Sequence, residues 1–356
     1  MRVALVYDRL NKLGGAEHVL TSFHTLFPEA NWYTSVWDPS TAPFSAFWKV
    51  HSFPYLHQHH EWFPWLMPFI FESFDLRDYD LVISIGSAES KGVITRPGTV
   101  HLNYCLTPTR YLYSHKKQYL TTSVHRFIAK YLRAWDQVAS TRPDIMIAIS
   151  TQVKKRINKY YNRDSEVIFP PVDVAKFNHR PLTINHLPYP YFLTVSRLVP
   201  YKNIDVLVKA FNQNGKTLVV IGTGSQERYL RKLAKPNVHI LGSVDEELLV
   251  GYYQHARAFI QVNEEDFGIA MCEAQAAGIP VIAHSSGGAL DIVQDGQTGL
   301  LFKQTGVSSI CQAIDIFETM SFDRQACQRN ARHFDQTAWA VKMQERINKI
   351  CQKNQK

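Results

Sequence analysis

The chain is 356 residues long, 45% hydrophobic and 20% charged, with 17 glycines and 17 prolines. That is the make-up of a folded globular protein of about two domains, and it excludes a disordered, collagen-like or disulfide-stapled chain. The formal net charge of +8 is unevenly spread: residues 1–90 hold 5 Lys/Arg against 10 Asp/Glu, whereas residues 91–163 hold 14 against 2, a balance of +12 that suits a surface facing an anionic partner.

Five scattered cysteines (Cys105, Cys272, Cys311, Cys327, Cys351) with no Cys-x-x-Cys pair favour a reducing compartment over a disulfide framework or a zinc module. The first six residues run straight into a core-like strand, so no secretory leader is expected. The densest apolar stretch, 62–71, is interrupted by Pro64 and Pro68 and is shorter than the roughly 20 residues of a spanning helix.

Along the chain, short apolar runs alternate with helical patterns. Strands are predicted at 3–7, 32–36, 81–85, 100–105, 145–149 and 167–169 in the first half. The second half gives 191–195, 217–221, 238–241, 258–262, 280–283 and 299–302. Most are continuous Val/Ile/Leu runs, as expected of parallel strands covered by helices on both faces. Two such sets predict two doubly wound α/β domains, 1–172 and 173–335, with a C-terminal helix at 336–356 returning to the first. The junction falls in the proline-bearing segment 169–190.

Between these strands lie several marked segments. Gly14-Gly15-Ala16-Glu17 follows the first strand and precedes a helical pattern, so its backbone can approach a phosphate at that helix N-terminus. It is not the Gly-x-Gly-x-x-Gly fingerprint, which argues against NAD. His57, His59 and His60 lack the partner pattern of a metal site and read as surface or groove polar groups. Trp62, Phe63, Trp65, Phe69 and Phe71 suit core packing, an acceptor groove or a membrane edge. Residues 116–135 form one amphipathic helix pattern, with Val124, Phe127, Ile128, Tyr131, Leu132 and Trp135 on one face and Arg126, Lys130 and Arg133 opposite. Burial of the apolar face and lodging in a bilayer interface give the same pattern. Lys154, Lys155, Arg156 and Lys159 add a second cationic cluster.

Two segments carry the chemistry. Arg197 and Lys202, in the loop after strand 191–195, are two cations flanking a Pro-containing turn, fit to grip a diphosphate. Glu265-Asp266-Phe267-Gly268-Ile269 follows strand 258–262 and opens a helix predicted to start near Phe267, whose first turn offers unpaired N–H groups to an anion. Glu265 and Glu273 would stand roughly 10 Å apart along that helix. That exceeds the spacing of an acid/base pair on one bond, about 5–9 Å, and suits the two ends of an elongated ligand. Ser285-Ser286-Gly287-Gly288 forms a further small-residue turn after a strand.

Together these segments resemble the retaining GT-B glycosyltransferases of family 4 along nearly the whole chain. Glu265 and Glu273 with Ala274-Gln275-Ala276-Ala277-Gly278-Ile279-Pro280 look like the family's E-x7-E segment. Gly287-Gly288, Asp295-Gly296 and Thr298-Gly299-Leu300-Leu301-Phe302 follow in the family's order. The details, including Tyr104-Cys105 through Thr107-Pro108 to Arg110-Tyr111, are most similar to the mannosyltransferase branch.

The resemblance implies two Rossmann-like domains facing across a cleft and transfer of a sugar, mannose from GDP-mannose foremost, to a glycan or lipid-linked saccharide in polysaccharide biosynthesis. It gives Arg197, Lys202 and the N–H of Gly15 to the diphosphate, Glu265 to the sugar hydroxyls, and backbone donors of Phe267, Gly268 and Ile269 to the donor. It gives Glu273 to the ribose and Arg110 to substrate binding, and it implies that no metal is needed. The partners it implies are a nucleotide sugar and a saccharide acceptor; the basic block of the N-terminal domain adds an anionic membrane surface, and no recognised module points to nucleic acid. The expected location is the cytoplasm, with peripheral attachment to the inner face of the membrane.

One departure stands out: many relatives have a His where this chain has Leu106, and an acidic residue where it has Tyr113-Ser114; His101 and His115 are out of register. Altered acceptor contacts are the expected consequence. A sugar-nucleotide- or glycan-binding module without catalysis, and a family-4 disaccharide phosphorylase, are the alternative readings.

Overall fold

A strand of Val, Ile and Leu with no polar alternation has to bury both faces, and most strands here do so. The computed structural model describes residues 1–12, 14–56, 63–114, 122–178 and 190–354. The predicted positions His57, His59, His60, Trp62, His115, the 116–121 end of the amphipathic helix and 179–189 of the junction lie outside the described residues.

The chain divides into two units, Met1–Pro171 with Trp339–Lys356, and Val172–Ala338. In the first, seven strands run parallel: β1 Val3–Tyr7, β2 Asn31–Thr34, β3 Val50–His51, β4 Leu81–Gly86, β5 Val100–Cys105, β6 Ile145–Ala148 and β7 Glu166–Val167. Their order is β3-β2-β1-β4-β5-β6-β7. Phe23, on helix Glu17–Leu26, meets Tyr104 of β5 and Trp339 of the C-terminal helix Gln336–Asn354 edge to face, at 5.4 and 4.9 Å. Those aromatic contacts fasten residues from both ends of the chain to one sheet.

The second unit has six parallel strands: β8 Phe192–Val195, β9 Leu218–Ile221, β10 Val238–Gly242, β11 Ala258–Gln261, β12 Val281–His284 and β13 Gly299–Phe302, in the order β10-β9-β8-β11-β12-β13. Its core packs Phe192, Leu207, Phe211, Ile260 and Phe317. In each sheet the order reverses beside its first strand, so the chain leaves β1 and β4, and likewise β8 and β11, in opposite directions. The crevice this opens at the strands' carboxyl ends is where open α/β sheets bind ligands.

All twelve predicted strands overlap observed ones, with ends shifted by a residue or two. β3 has no sequence signal, because two residues show no periodicity. The amphipathic pattern at 116–135 is observed as helix Ser123–Ala139. Its apolar face is covered only in part: Leu132 is buried, whereas Val124, Phe127 and Tyr131 are exposed. Arg133, expected to point outward, donates to the Leu112 carbonyl at 2.7 Å.

Candidate functional site in the second unit

The loop after β8 and the loop after β11 meet because those two strands pair. Pro200–Lys202 is a single 3-10 turn with proline at its first position, and Asn203, at φ 55°, redirects the chain into helix Ile204–Asn214. That geometry aims Lys202 inward, where its ammonium contacts Glu265 Oε1. The same oxygen accepts from Asn263 Nδ2 at 3.1 Å and Gln261 Nε2 at 3.3 Å. Among the described residues Oε2 of Glu265 accepts no hydrogen bond, so one edge of the carboxylate is held and the other is available. Arg197 is exposed and donates to the Tyr201 hydroxyl at 2.5 Å, and Lys202 lies 5.4 Å from the centre of the same ring. Tyr201 thus lies between the two cations.

The helix predicted near Phe267 begins at Ile269 and runs Ile269–Ala276. The start is displaced because Gly268 adopts φ 105°, a left-handed cap open mainly to glycine, while Phe267 is buried edge-on to Phe334 at 5.6 Å. The turn at Gly287-Gly288 supports this corner from behind. Gly288 N–H donates to the Glu265 carbonyl at 2.9 Å, and a Cβ on Gly288 would lie 1.9 Å from the Phe267 carbonyl oxygen. Gly288→Ala therefore forces the Glu265–Phe267 backbone to move. A stability loss of about 1–3 kcal/mol is expected, as for other overpacked sites. It would be read as a lower denaturant midpoint at unchanged slope, and an unchanged midpoint would refute the close approach.

Glu273 has a separate set of partners. Lys176 donates to its Oε1 at 2.8 Å and the Tyr253 hydroxyl to its Oε2 at 3.0 Å. Burial on its own would lower the Lys176 pKa, but Glu273 and Glu246 outweigh it and the ammonium is held above its usual range. Burial, and then Glu273, pushes the Tyr253 phenol far up, so it stays a donor. Sequence reading missed Lys176, Tyr201, Tyr253, Gln261 and Asn263. Only the Lys176-Phe177 pair, inside the proline-bearing segment 169–190, and the polar end of an otherwise apolar β11 offered a signal.

Gly15 and Arg110 belong to the first unit. Gly15 sits in the turn before helix Glu17–Leu26, where Gly14 N–H donates to Glu17 Oε2 at 2.7 Å. Arg110 lies in the turn that follows β5. Around the first sheet's own crevice, Asp8 accepts from three backbone N–H groups, of Ser87, Ala88 and Ser90, at 2.8–3.0 Å. Buried Glu89 holds Arg9 at 3.2 Å and the Tyr111 hydroxyl at 2.7 Å. His101 lies in mid-strand with Nε2 2.8 Å from Ser84 Oγ; burial, then Arg142 and Arg163, depresses its pKa to about 3. It is a neutral core residue and does not supply the histidine replaced by Leu106.

Residues 177–334 match the family model described as glycosyl transferases group 1. That match takes in most of the second unit, which resembles group 1 glycosyl transferases. Among curated relatives, the GDP-mannose-dependent alpha-(1-6)-phosphatidylinositol monomannoside mannosyltransferase of Mycobacterium tuberculosis is 31% identical over 198 residues, 48% of this chain and 51% of that protein. The GDP-mannose-dependent monoacylated counterpart of Corynebacterium glutamicum is 32% identical over 174 residues, 44% of this chain and 45% of that protein. The chain thus spans about half the length of the curated relatives it matches. Over the matched half it resembles these mannosyltransferases.

Solved structures share the fold over nearly the whole chain. Anabaena HepE, crystallised with UDP and glucose, superposes with a TM-score of 0.71 at 17% identity, covering 98% of this chain and 99% of its own. Sucrose-phosphate synthase of Thermosynechococcus elongatus gives 0.73 at 17% identity with the same coverage. Both likenesses establish the two-domain α/β architecture of GT-B proteins. Among the described residues no helix is long and apolar enough to cross a membrane, and no group of three or more His, Cys, Asp or Glu is placed to hold a metal.

Proposed function

We propose that the chain is a retaining hexosyltransferase that moves mannose from GDP-mannose to a glycan or lipid-linked saccharide in polysaccharide or lipopolysaccharide biosynthesis, attached peripherally to an anionic membrane surface. The observation that carries the reading is the pairing of Lys202 with Glu265, with Arg197 on the far side of Tyr201, at the crevice between β8 and β11. The choice of mannose and GDP rests on the names of the curated relatives.

In this reading the bond between the sugar C1 and the diphosphate oxygen breaks, and its electron pair leaves with the nucleoside diphosphate. Arg197, Lys202 and the free N–H groups at the start of helix Ile269–Ala276 stabilise that charge as it grows. Oε2 of Glu265 takes the sugar hydroxyls and Glu273 takes the ribose. The acceptor hydroxyl attacks the face vacated by the leaving phosphate, and its proton passes to the departing oxygen. No metal is required by this scheme, because fixed cations and backbone dipoles carry the electrostatics.

A panel of nucleoside diphosphates tests the donor. A ligand bound only by the native state stabilises it by about 2.7 kcal/mol at a hundredfold excess over Kd. In domains of this size, each kcal/mol raises Tm by about 2–4 °C. GDP is expected to give the largest shift, and GDP-mannose with a lipid-linked acceptor to give transfer with retained configuration. A larger shift with UDP would replace the base. Binding with neither transfer nor hydrolysis would select a non-catalytic module, and phosphate-dependent cleavage without nucleotide a phosphorylase.

A further inference from the structure

Helix Ser123–Ala139 is packed on one side only. At about 100° per residue, Ala129, Leu132, Asp136 and Ala139 share one arc, and all four are buried. Val124, Phe127, Tyr131 and Val138 share a second arc about 60° wide, and they are 65%, 76%, 41% and 57% exposed. The exposed stripe continues onto the neighbouring segment. Trp135 donates its indole N–H to Glu72 at 2.7 Å, which ties the helix to Met67–Glu72. There Met67 and Phe71 are buried, while Trp65 and Phe69 project outward, Phe69 60% exposed. Exposed Arg126 and Lys130 flank the stripe, inside the 91–163 region that carries the +12 balance.

A contiguous aromatic surface rimmed by cations has two obvious occupants. A second copy of the chain joined face to face would bring two cationic borders into one interface without anionic partners among the described residues of this face, which like-charge repulsion opposes. An anionic bilayer offers phosphates to the cations and an acyl boundary to the rings, the arrangement that holds interfacial helices. We infer that the face formed by Phe127, Tyr131, Trp65 and Phe69 docks on an anionic lipid bilayer, its rings entering the headgroup–acyl boundary and Arg126 and Lys130 pairing with lipid phosphates. This deepens the peripheral attachment proposed above and rests on that part of the reading alone; it needs no donor-site assignment.

Flotation of the full chain with vesicles tests it. The chain is expected to float with phosphatidylglycerol–phosphatidylcholine vesicles and to float much less with phosphatidylcholine alone, where the rings insert without the charge attraction. High salt should weaken flotation without abolishing it, because screening releases the cations but not the inserted rings. Phe69→Ser combined with Phe127→Ser should cut the bound fraction at least tenfold at unchanged Tm, since both side chains are exposed; Arg126→Glu with Lys130→Glu should do so at low salt. Flotation by the aromatic variant equal to wild type, or concentration-dependent dimerisation without flotation, overturns the inference. Nucleoside-diphosphate protection measured on the same preparations separates this outcome from failure of the transferase reading.

Discussion

Lys202→Ala is expected to lower kcat for sugar transfer by about 10²–10³, the usual effect of deleting one preorganised group that meets developing negative charge. The donor KM should change much less, because on the proposed mechanism the ammonium meets the diphosphate charge that is largest in the transition state. The fold should survive. Glu265 keeps its Asn263 and Gln261 donors after the substitution, and its side chain is 20% accessible, so no deeply buried charge is stranded. Glu265→Gln should also remove most turnover. The double variant should be little worse than the poorer single one, since the two groups act through one contact. Steady-state kinetics on folded protein check this, and a Lys202→Ala enzyme within a few-fold of wild type would dismiss the site.

The second large effect is on stability. In the first unit Lys91 donates to Asp136 Oδ1 at 2.5 Å, with side chains only 4% and 2% accessible. Lys91 also donates to the Ala88 carbonyl at 2.6 Å, and Asp136 Oδ1 also accepts from the Thr109 hydroxyl at 2.9 Å. Asp136→Ala leaves a buried ammonium without its counter-charge, and about 3–5 kcal/mol of stability should be lost. Asp136→Asn, which keeps an acceptor oxygen, should lose less. Lys91→Met with Asp136→Leu should recover most of the loss, because neither charge then has to be desolvated. Denaturant titration of the four proteins checks the ranking; an Asp136→Ala protein as stable as wild type would show that the pair carries no such cost. Thr109 sits in the segment Thr107 to Arg110 that carries the family resemblance. The same pair therefore fixes a loop at the ligand end of the first sheet.

The sheets were legible in the sequence because uninterrupted runs such as Leu218-Val219-Val220-Ile221 can only be stable with both faces covered. The helix at Ser123–Ala139 was legible as a periodicity, but which half of its apolar face lies exposed was not. That depends on where Met67–Glu72 comes to rest, a segment more than fifty residues earlier. The helix start at Ile269 was missed by two residues, since Gly268 reads as a permissive residue and only the backbone shows that it turns left-handed.

The candidate site divides in the same way. By itself the sequence determined the chemical types: cations after one strand, carboxylates after another, and glycines where chains would crowd. Strand–turn–helix order is a local property, set by residues within a few positions of one another. Only the tertiary structure decided that Lys202 faces Glu265, 63 residues away, and that Lys176 reaches Glu273 across 97. Those encounters follow from β11 pairing with β8 and from the burial of Glu273, and long-range pairing of this kind leaves no periodic trace in the residues that perform it.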